Sequence, residues 1–185
     1  MSEDARDRAV KLQLRLAQLD RIDSCRNDFL TFVRAMWPEF IAGEHHKIIA
    51  EKFQRVADGS LKRLIINMAP RHTKSEFASN FLPAWFIGRN PNMKIIQATH
   101  TTELAVGFGR KVKNLLDRED YTEIFPEAKL SADSKASGRW DTARGGTYYA
   151  VGVGSNLAGR GGDLVIIDDP HSEPVSYTHL TLPTS

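Results

Sequence analysis

The sequence has 185 residues and lacks several features that mark whole classes of protein. Its single cysteine, Cys25, excludes an internal disulfide and a cysteine-based metal site, and it fits a reducing compartment. No apolar run approaches the length of about 20 residues that spans a membrane, and the charged N-terminus lacks the apolar stretch of a secretion signal. The net charge of +2 neither demands nor excludes nucleic acid. These absences predict a cytoplasmic protein without membrane contact.

The N-terminal third of the chain predicts helices. An amphipathic helix over residues 4–22 is expected to pack its apolar stripe on the domain, with a DNA- or partner-binding arm as the alternative. Two further helices are predicted over residues 29–37 and from Glu44 to Ala57, and Gly59 is placed to end the second of them.

From residue 62 the pattern changes to strands alternating with helices. The clearest elements are a strand over Met93–Thr99, a helix over Glu103–Leu116 and a hairpin turning at Gly145-Gly146. Such alternation predicts an α/β fold with a mostly parallel sheet and flanking helices. We therefore predict a helical segment over residues 1–60 followed by an α/β core over residues 61–173.

The first segment with a chemical signature is a strand–turn–helix pattern. A strand is predicted at Leu64–Met68, and a helix, kinked or shortened by Pro83, over Glu76–Phe86; between them lies the loop Ala69-Pro70-Arg71-His72-Thr73-Lys74-Ser75. Phosphate-binding loops have this arrangement, with the lysine supplying charge and the hydroxyl reaching Mg²⁺. The common G-x-x-x-x-G-K-[ST] pattern has glycines where this chain has Met68 and Thr73, because the loop can require positive φ. On this segment alone, an ordinary connection with an exposed lysine stays open.

The second segment is the apolar run Leu164–Ile167, which is followed by Asp168 and Asp169. It predicts a buried strand that delivers two carboxylates at its C-terminal end, where open α/β sheets place their ligands. A glycine-rich stretch with Arg160 precedes it, and Leu157 at the third glycine's place argues against a dinucleotide fingerprint. The two segments together predict a nucleoside triphosphatase.

Several motifs, in order, resemble the N-terminal ATPase domain of the large terminase subunit of tailed bacteriophages. They span about four-fifths of the chain and lie at Phe29–Val33, Gly43–His46, Arg63–Glu76, Gln97–Ala105 and Gly159–Pro170. The resemblance implies a P-loop NTPase fold that uses ATP and Mg²⁺. In that family, hydrolysis drives DNA into the capsid.

The resemblance also implies roles for single residues. Lys74 would bridge the β- and γ-phosphates, while Ser75 would hold Mg²⁺ directly and Asp168 through water. Asp169 stands where this class of ATPase usually carries the glutamate that orients the attacking water. Aspartate is one methylene shorter, so slower or differently arranged hydrolysis is expected.

Further positions are assigned by the same resemblance. Arg160 would act as an arginine finger in cis or in trans, Arg71 would sense the γ-phosphate and His46 would lie near the adenine. The ATP-binding set is completed by Pro70, His72, Thr73 and Glu76. The plainer alternatives are solvated loop side chains for Arg71 and His72, a hairpin-rim arginine for Arg160 and a helix histidine for His46.

The last residues look foreign to the rest. Val175–Thr184 look like a translated transposase adaptor from sequencing-library preparation, whose codons encode this run without a mismatch. We treat residues 174–185 as a non-native tail and exclude them from the fold. The natural protein is expected to be longer, with a nuclease domain and the rest of the ATPase sheet beyond this chain, so the sheet here should be incomplete.

The implied partners are double-stranded DNA, a small terminase subunit, a portal protein and further copies in a ring, in the cytoplasm of the phage's host. Two alternatives stay open. The chain could belong to a helicase-like DNA-translocating ATPase. It could also be a degenerate module that binds nucleotide or DNA without turnover.

Overall fold

The computed structural model describes residues 3–69, 71–134, 136–155 and 159–171. Within these ranges the chain forms six α-helices, a π-helical segment and a four-stranded sheet. It divides into two compact units, the first comprising the chain up to Ile65 with Glu119–Pro126, and the second Ile66–Arg118 with the chain from Glu127 onward. No helix in the described part is both long and apolar enough to cross a membrane.

The first unit is helical, as predicted. It consists of α1 (Glu3–Asn27), α2 (Phe29–Met36), α3 (Glu44–Ala57) and α6 (Glu119–Ile124). Aromatic contacts make its core: Phe29 lies edge-on against Phe53 with ring centroids 5.3 Å apart, and Phe32 packs on Tyr121 at 6.1 Å. These edge-to-face pairs bury large apolar area with favourable ring electrostatics.

The expected packing of α1 is wrong for most of its length. Only Ile22 and Cys25 are buried near its C-terminal end. Helix α1 packs on α2 and α6, which have 8 and 6 residues, whereas α1 has 25. At about 1.5 Å per residue the long helix extends well past both neighbours. Its remaining large apolar side chains are therefore exposed: Val10, Leu12, Leu14, Leu16 and Leu19.

The second unit is built on the predicted, mostly parallel sheet. Its strands are β1 (Lys94–Thr99), β2 (Arg139–Asp141), β3 (Thr147–Gly152) and β4 (Leu164–Ile167), in the spatial order β2-β3-β1-β4. Strand β1 runs parallel to β3 and β4, while β2 and β3 form the predicted antiparallel hairpin. Helix α5 (Thr102–Leu116) contacts β1 and β3, and Thr101 caps it by accepting a hydrogen bond from Leu104 N at 3.2 Å.

The strand predicted at Leu64–Met68 is wrong. This segment has no regular secondary structure, and Ile65 is 87% exposed. Its apolar residues have the composition of a strand, but a strand exists only where a neighbouring backbone completes its hydrogen bonds. The described sheet ends at β4, and no strand pairs with the outer edge of β4 there.

Strand β4 was predicted to be buried, and one of its faces is exposed. Leu164 and Ile166 are buried, whereas Val165 and Ile167 are 53% and 64% exposed. Val165 and Ile167 pair with Ile96 and Ala98 of β1, which are buried, so the exposure of this face is confined to the edge strand.

The helix after the loop forms, with an interruption. Glu76–Phe81 is π-helical, and α4 (Leu82–Arg89) continues it three residues past the predicted end. Pro83 lies in the first turn of α4 and has no N–H with which to bond back to the π-helical segment. The amide of Leu82 donates to Phe77 O, five residues back.

Two glycines of α5 provide a matched test of the packing of α5 on the sheet. A Cβ at Gly109 would collide with the carbonyl oxygen of Ser137, whereas a Cβ at Gly107 would meet nothing within 4 Å. We expect Gly109→Ala to lower the free energy of unfolding by about 1–3 kcal/mol. Gly107→Ala should raise it by about 0.5–1 kcal/mol, because alanine favours the helix. Urea unfolding measures both, and equal effects would contradict this packing.

Candidate functional site

Residues with left-handed backbone occur in both segments that carry a chemical signature, the loop before Lys74 and the residues that follow β4. Among the described residues, three that are not glycine have positive φ: Arg71 at 62°, Thr73 at 61° and Asp169 at 44°. A β-branched residue rarely adopts this conformation, which costs an L-residue roughly 1–2 kcal/mol. Thr73 therefore takes, at the place of the second glycine of the common motif, the conformation for which that glycine is used.

The strained loop leads directly into a helix. The first helical hydrogen bond runs from Phe77 N to Thr73 O at 3.0 Å, so the helix begins at Lys74. Left-handed residues beside right-handed ones form concave arrangements of backbone N–H groups that bind anions. A helix N-terminus adds a favourable partial positive charge for the same ligands. The local backbone is therefore suited to a phosphate group.

Lys74 joins this loop to the carboxylates that follow β4. Its Nζ lies 2.9 Å from Asp169 Oδ1 and 3.7 Å from Asp168 Oδ1. The hydrogen bond to Asp169 is the main reason why the pKa of Lys74 is raised. The hydrogen bond thus favours the charged form of the lysine. The structure thus brings together two motifs that the sequence separates by more than 90 residues.

Ser79 contacts Asp168 from its other side, and Gln97 in turn contacts Ser79. Both are buried polar residues that the sequence analysis missed. Ser79 Oγ lies 2.9 Å from Asp168 Oδ2, and Gln97 Nε2 lies 3.2 Å from Ser79 Oγ. Ser79 lies two residues after Phe77 on the predicted helix, and Gln97 lies on the same face of β1 as Ile95 and Thr99, in a strand that is buried from Ile95 onward. The available signal for Gln97 was a polar residue among the apolar residues of a strand, whereas Ser79, which stands beside Asn80, carried no comparable signal.

The backbone conformation at position 169 bears on why this position holds an aspartate where a glutamate was expected. Asp168 N donates to Ala98 O at 3.0 Å, and His100 N donates to Asp169 O at 3.1 Å, so β1 pairs with this segment beyond the end of β4. Aspartate tolerates left-handed φ better than most residues because its short side chain bonds locally. The aspartate at position 169 thus fits the turn that places its carboxylate beside Lys74.

The other loop candidates lie around this centre. Ser75 is half-buried, and Arg71 and His72 are exposed. Glu76 forms an ion pair with Lys111 at 2.6 Å and accepts a hydrogen bond from Asn80 at 3.1 Å. Pro70 lies outside the described residues.

Arg160 and His46 are engaged elsewhere. The guanidinium of Arg160 stacks on the ring of Tyr149 on β3, 4.1 Å from its centroid, a cation–π contact. His46 belongs to the first unit, where its Nδ1 accepts a hydrogen bond from Gly43 N at 2.9 Å at the start of α3. The latter contact matches the plainer expectation of a helix histidine.

The residues present suit a magnesium–triphosphate complex. Magnesium prefers one or two carboxylates together with phosphate oxygens and water. Asp168 and Asp169 already surround a positive charge, the ammonium of Lys74. Within the described ranges, no group of three or more histidine, cysteine or acidic side chains could hold a metal ion. A cation at this place would therefore take its further oxygen ligands from water or from a bound phosphate.

Substituting Thr73 tests the strain in the loop. Thr73→Gly should raise the free energy of unfolding by up to about 1 kcal/mol, because relief of the left-handed penalty exceeds the extra backbone entropy of glycine. Thr101→Gly should lower it, because Thr101 has φ −121° and caps α5. Denaturant titration of both variants provides the measurement. A loss of stability in Thr73→Gly as large as in Thr101→Gly would show that position 73 is unstrained.

Comparison with known proteins identifies no relatives. No protein-family model matches the chain. No curated protein and no solved structure matches it either. The resemblance to terminases therefore depends on the sequence motifs alone, and the geometry around Lys74 must support the functional argument.

Proposed function

We propose that this chain is an ATP-hydrolysing core of a DNA-packaging motor, the N-terminal part of a phage large terminase subunit with a P-loop type of site. The single observation that carries the proposal is the meeting of Lys74 with Asp168 and Asp169, beside a loop held in left-handed conformations. A lysine at a helix N-terminus opposite two carboxylates is what triphosphate hydrolysis requires.

The chemistry assigns a separate task to each group. The ammonium of Lys74 would neutralise charge on the β- and γ-phosphate oxygens, and the loop amides would orient them. Water would attack the γ-phosphorus, the bond to the bridging oxygen would break, and ADP and phosphate would leave. Asp169, the more exposed carboxylate at 62%, would orient this water and accept its proton. Bound Mg²⁺, held by Ser75 and Asp168, would withdraw charge from the phosphates.

The assignment to DNA packaging depends on the order of the sequence motifs. Under it, double-stranded DNA, the small terminase subunit, the portal protein and further copies of the chain in a ring are the proposed partners, in the host cytoplasm. Arg160 would reach a nucleotide, of its own or a neighbouring copy, only after leaving the ring of Tyr149.

One observation favours a second candidate, a module that binds nucleotide without turnover. Asp169 replaces the expected glutamate, and its carboxylate is already paired with Lys74 at 2.9 Å. A shorter carboxylate that is bound to the lysine is less available to a water molecule. Phosphate release separates the two candidates, because only the first produces it.

Mg·ATP binding provides the direct test. We expect Lys74→Ala to weaken binding of a fluorescent ATP analogue by roughly 10- to 100-fold, because the ligand phosphates lose a charged hydrogen bond. Lys52→Ala is the matched control, since Lys52 forms an ion pair with its neighbour Glu51 in the first unit. Its affinity should equal that of the unsubstituted chain.

The outcomes separate the candidates. Binding lost in Lys74→Ala, with phosphate release in the unsubstituted chain, supports the ATPase. Binding without phosphate release supports the binding module. A folded chain that binds no Mg·ATP contradicts both.

A further inference from the structure

We propose that Ser79 and Gln97 are positioning residues that fix the carboxylate of Asp168, and that the π-helical turn sets the register that allows it. This inference deepens the proposed function and depends on it. Neither residue would touch the nucleotide; both would act through Asp168.

The side chains of Gln97, Ser79 and Asp168 form a chain of hydrogen bonds in which every donor points towards Asp168. Ser79 and Gln97 are fully buried, and Asp168 is 6% exposed. An ionised carboxylate only accepts, so the single hydroxyl proton of Ser79 must point to Asp168. The hydroxyl oxygen then accepts from the amide of Gln97. Each donor strengthens the next, and the last bond is charge-assisted.

The two oxygens of Asp168 have different neighbours. Oδ2 accepts from Ser79 at 2.9 Å in the interior, and Oδ1 faces Lys74 at 3.7 Å. One oxygen is therefore anchored while the other is directed into the site. This fixes the plane of the carboxylate before any ligand arrives, which is how an outer hydrogen bond prepares a metal-binding group.

The π-helix explains how one helical segment reaches both oxygens. Lys74 and Ser79 are five residues apart, and in an α-helix at about 100° per residue they would point roughly 140° away from each other. The i→i+5 hydrogen bonds of a π-helix bring residues five apart close to one face. The segment Glu76–Phe81 is π-helical. Lys74 lies two residues before this segment and Ser79 lies within it, so the π-helical turn makes up part of the rotation between them and narrows the angle between the two side chains that contact the same carboxylate.

Gln97 adds an independent argument. Its Oε1 is buried and has no hydrogen-bond partner in the part of the chain that the structure describes. A buried unsatisfied carbonyl oxygen costs about 1–3 kcal/mol. An apolar side chain at this position of β1 would avoid that cost. We therefore infer that the side-chain amide of Gln97 is needed for its N–H group, which donates to Ser79.

The test separates cation binding from nucleotide binding. We would measure Mn²⁺ binding in the presence of ATP by electron paramagnetic resonance, and ATP binding in EDTA by calorimetry. Ser79→Ala should weaken Mn²⁺ binding by roughly 10- to 100-fold, the usual effect of losing an outer hydrogen bond to a metal-binding group. ATP binding without metal should be unchanged, because Lys74 and the loop remain.

Two further variants complete the design. Gln97→Met removes only the outer donor and leaves the contact of Ser79 with Asp168, so it should weaken Mn²⁺ binding less than Ser79→Ala does. Ser24→Ala is the matched control, because the hydroxyl of Ser24 bonds to Asp20 O on exposed helix α1. It should leave both affinities unchanged.

The results distinguish this inference from the proposed function. Unchanged Mn²⁺ binding in Ser79→Ala and Gln97→Met, beside normal binding in the unsubstituted chain, overturns the inference alone. Equal losses of metal-free and Mn²⁺-dependent ATP binding also overturn it, since they indicate general damage. If Ser79→Ala does not fold, Gln97→Met decides in the same way. A folded unsubstituted chain that binds ATP under neither condition overturns the proposed function, and the inference with it.

Discussion

The ion pair of Lys74 with Asp168 and Asp169 is the interaction on which the rest of the site depends. It joins the first turn of a helix to the end of an edge strand, and the loop before the helix must adopt left-handed backbone to place the lysine there. The pairing of β1 with the segment after β4 brings the carboxylates to the same place. Removing any one of these local features would move the lysine or the acids away from each other.

The unfavourable features of the second unit are concentrated at this point. Thr73 and Asp169 have strained φ angles, and Gln97 and Asp168 are polar residues buried among apolar ones. Each of these costs stability on its own. Strain and buried polarity that coincide in space are more typical of a functional site than of a scaffold, because a scaffold gains nothing from keeping them.

The sequence predicted best what is determined locally. Strand β1, helix α5 and the hairpin followed from apolar periodicity and the paired glycines, and all three are confirmed. Two predictions were wrong, the strand at Leu64–Met68 and the buried apolar stripe of α1. Each of these features needs a neighbouring element that its own residues do not specify. The chemical segments were found from their residue types. The left-handed Thr73 was not found, because a β-branched residue rarely adopts that conformation. The support from Ser79 and Gln97 was not found either, because it depends on contacts between residues distant in the sequence.

The pairing of Lys74 has a consequence for how ligands would enter. A single ammonium serves two carboxylates, so an anion that attracts the ammonium leaves two negative charges without a counter-charge. Those charges then favour a cation, and a cation that arrives first releases the ammonium for the anion. Anion and cation would thus promote each other's binding by equal factors, as thermodynamic linkage requires. In that case the ammonium of Lys74 holds the place of the cation beside the two carboxylates until both ligands are bound.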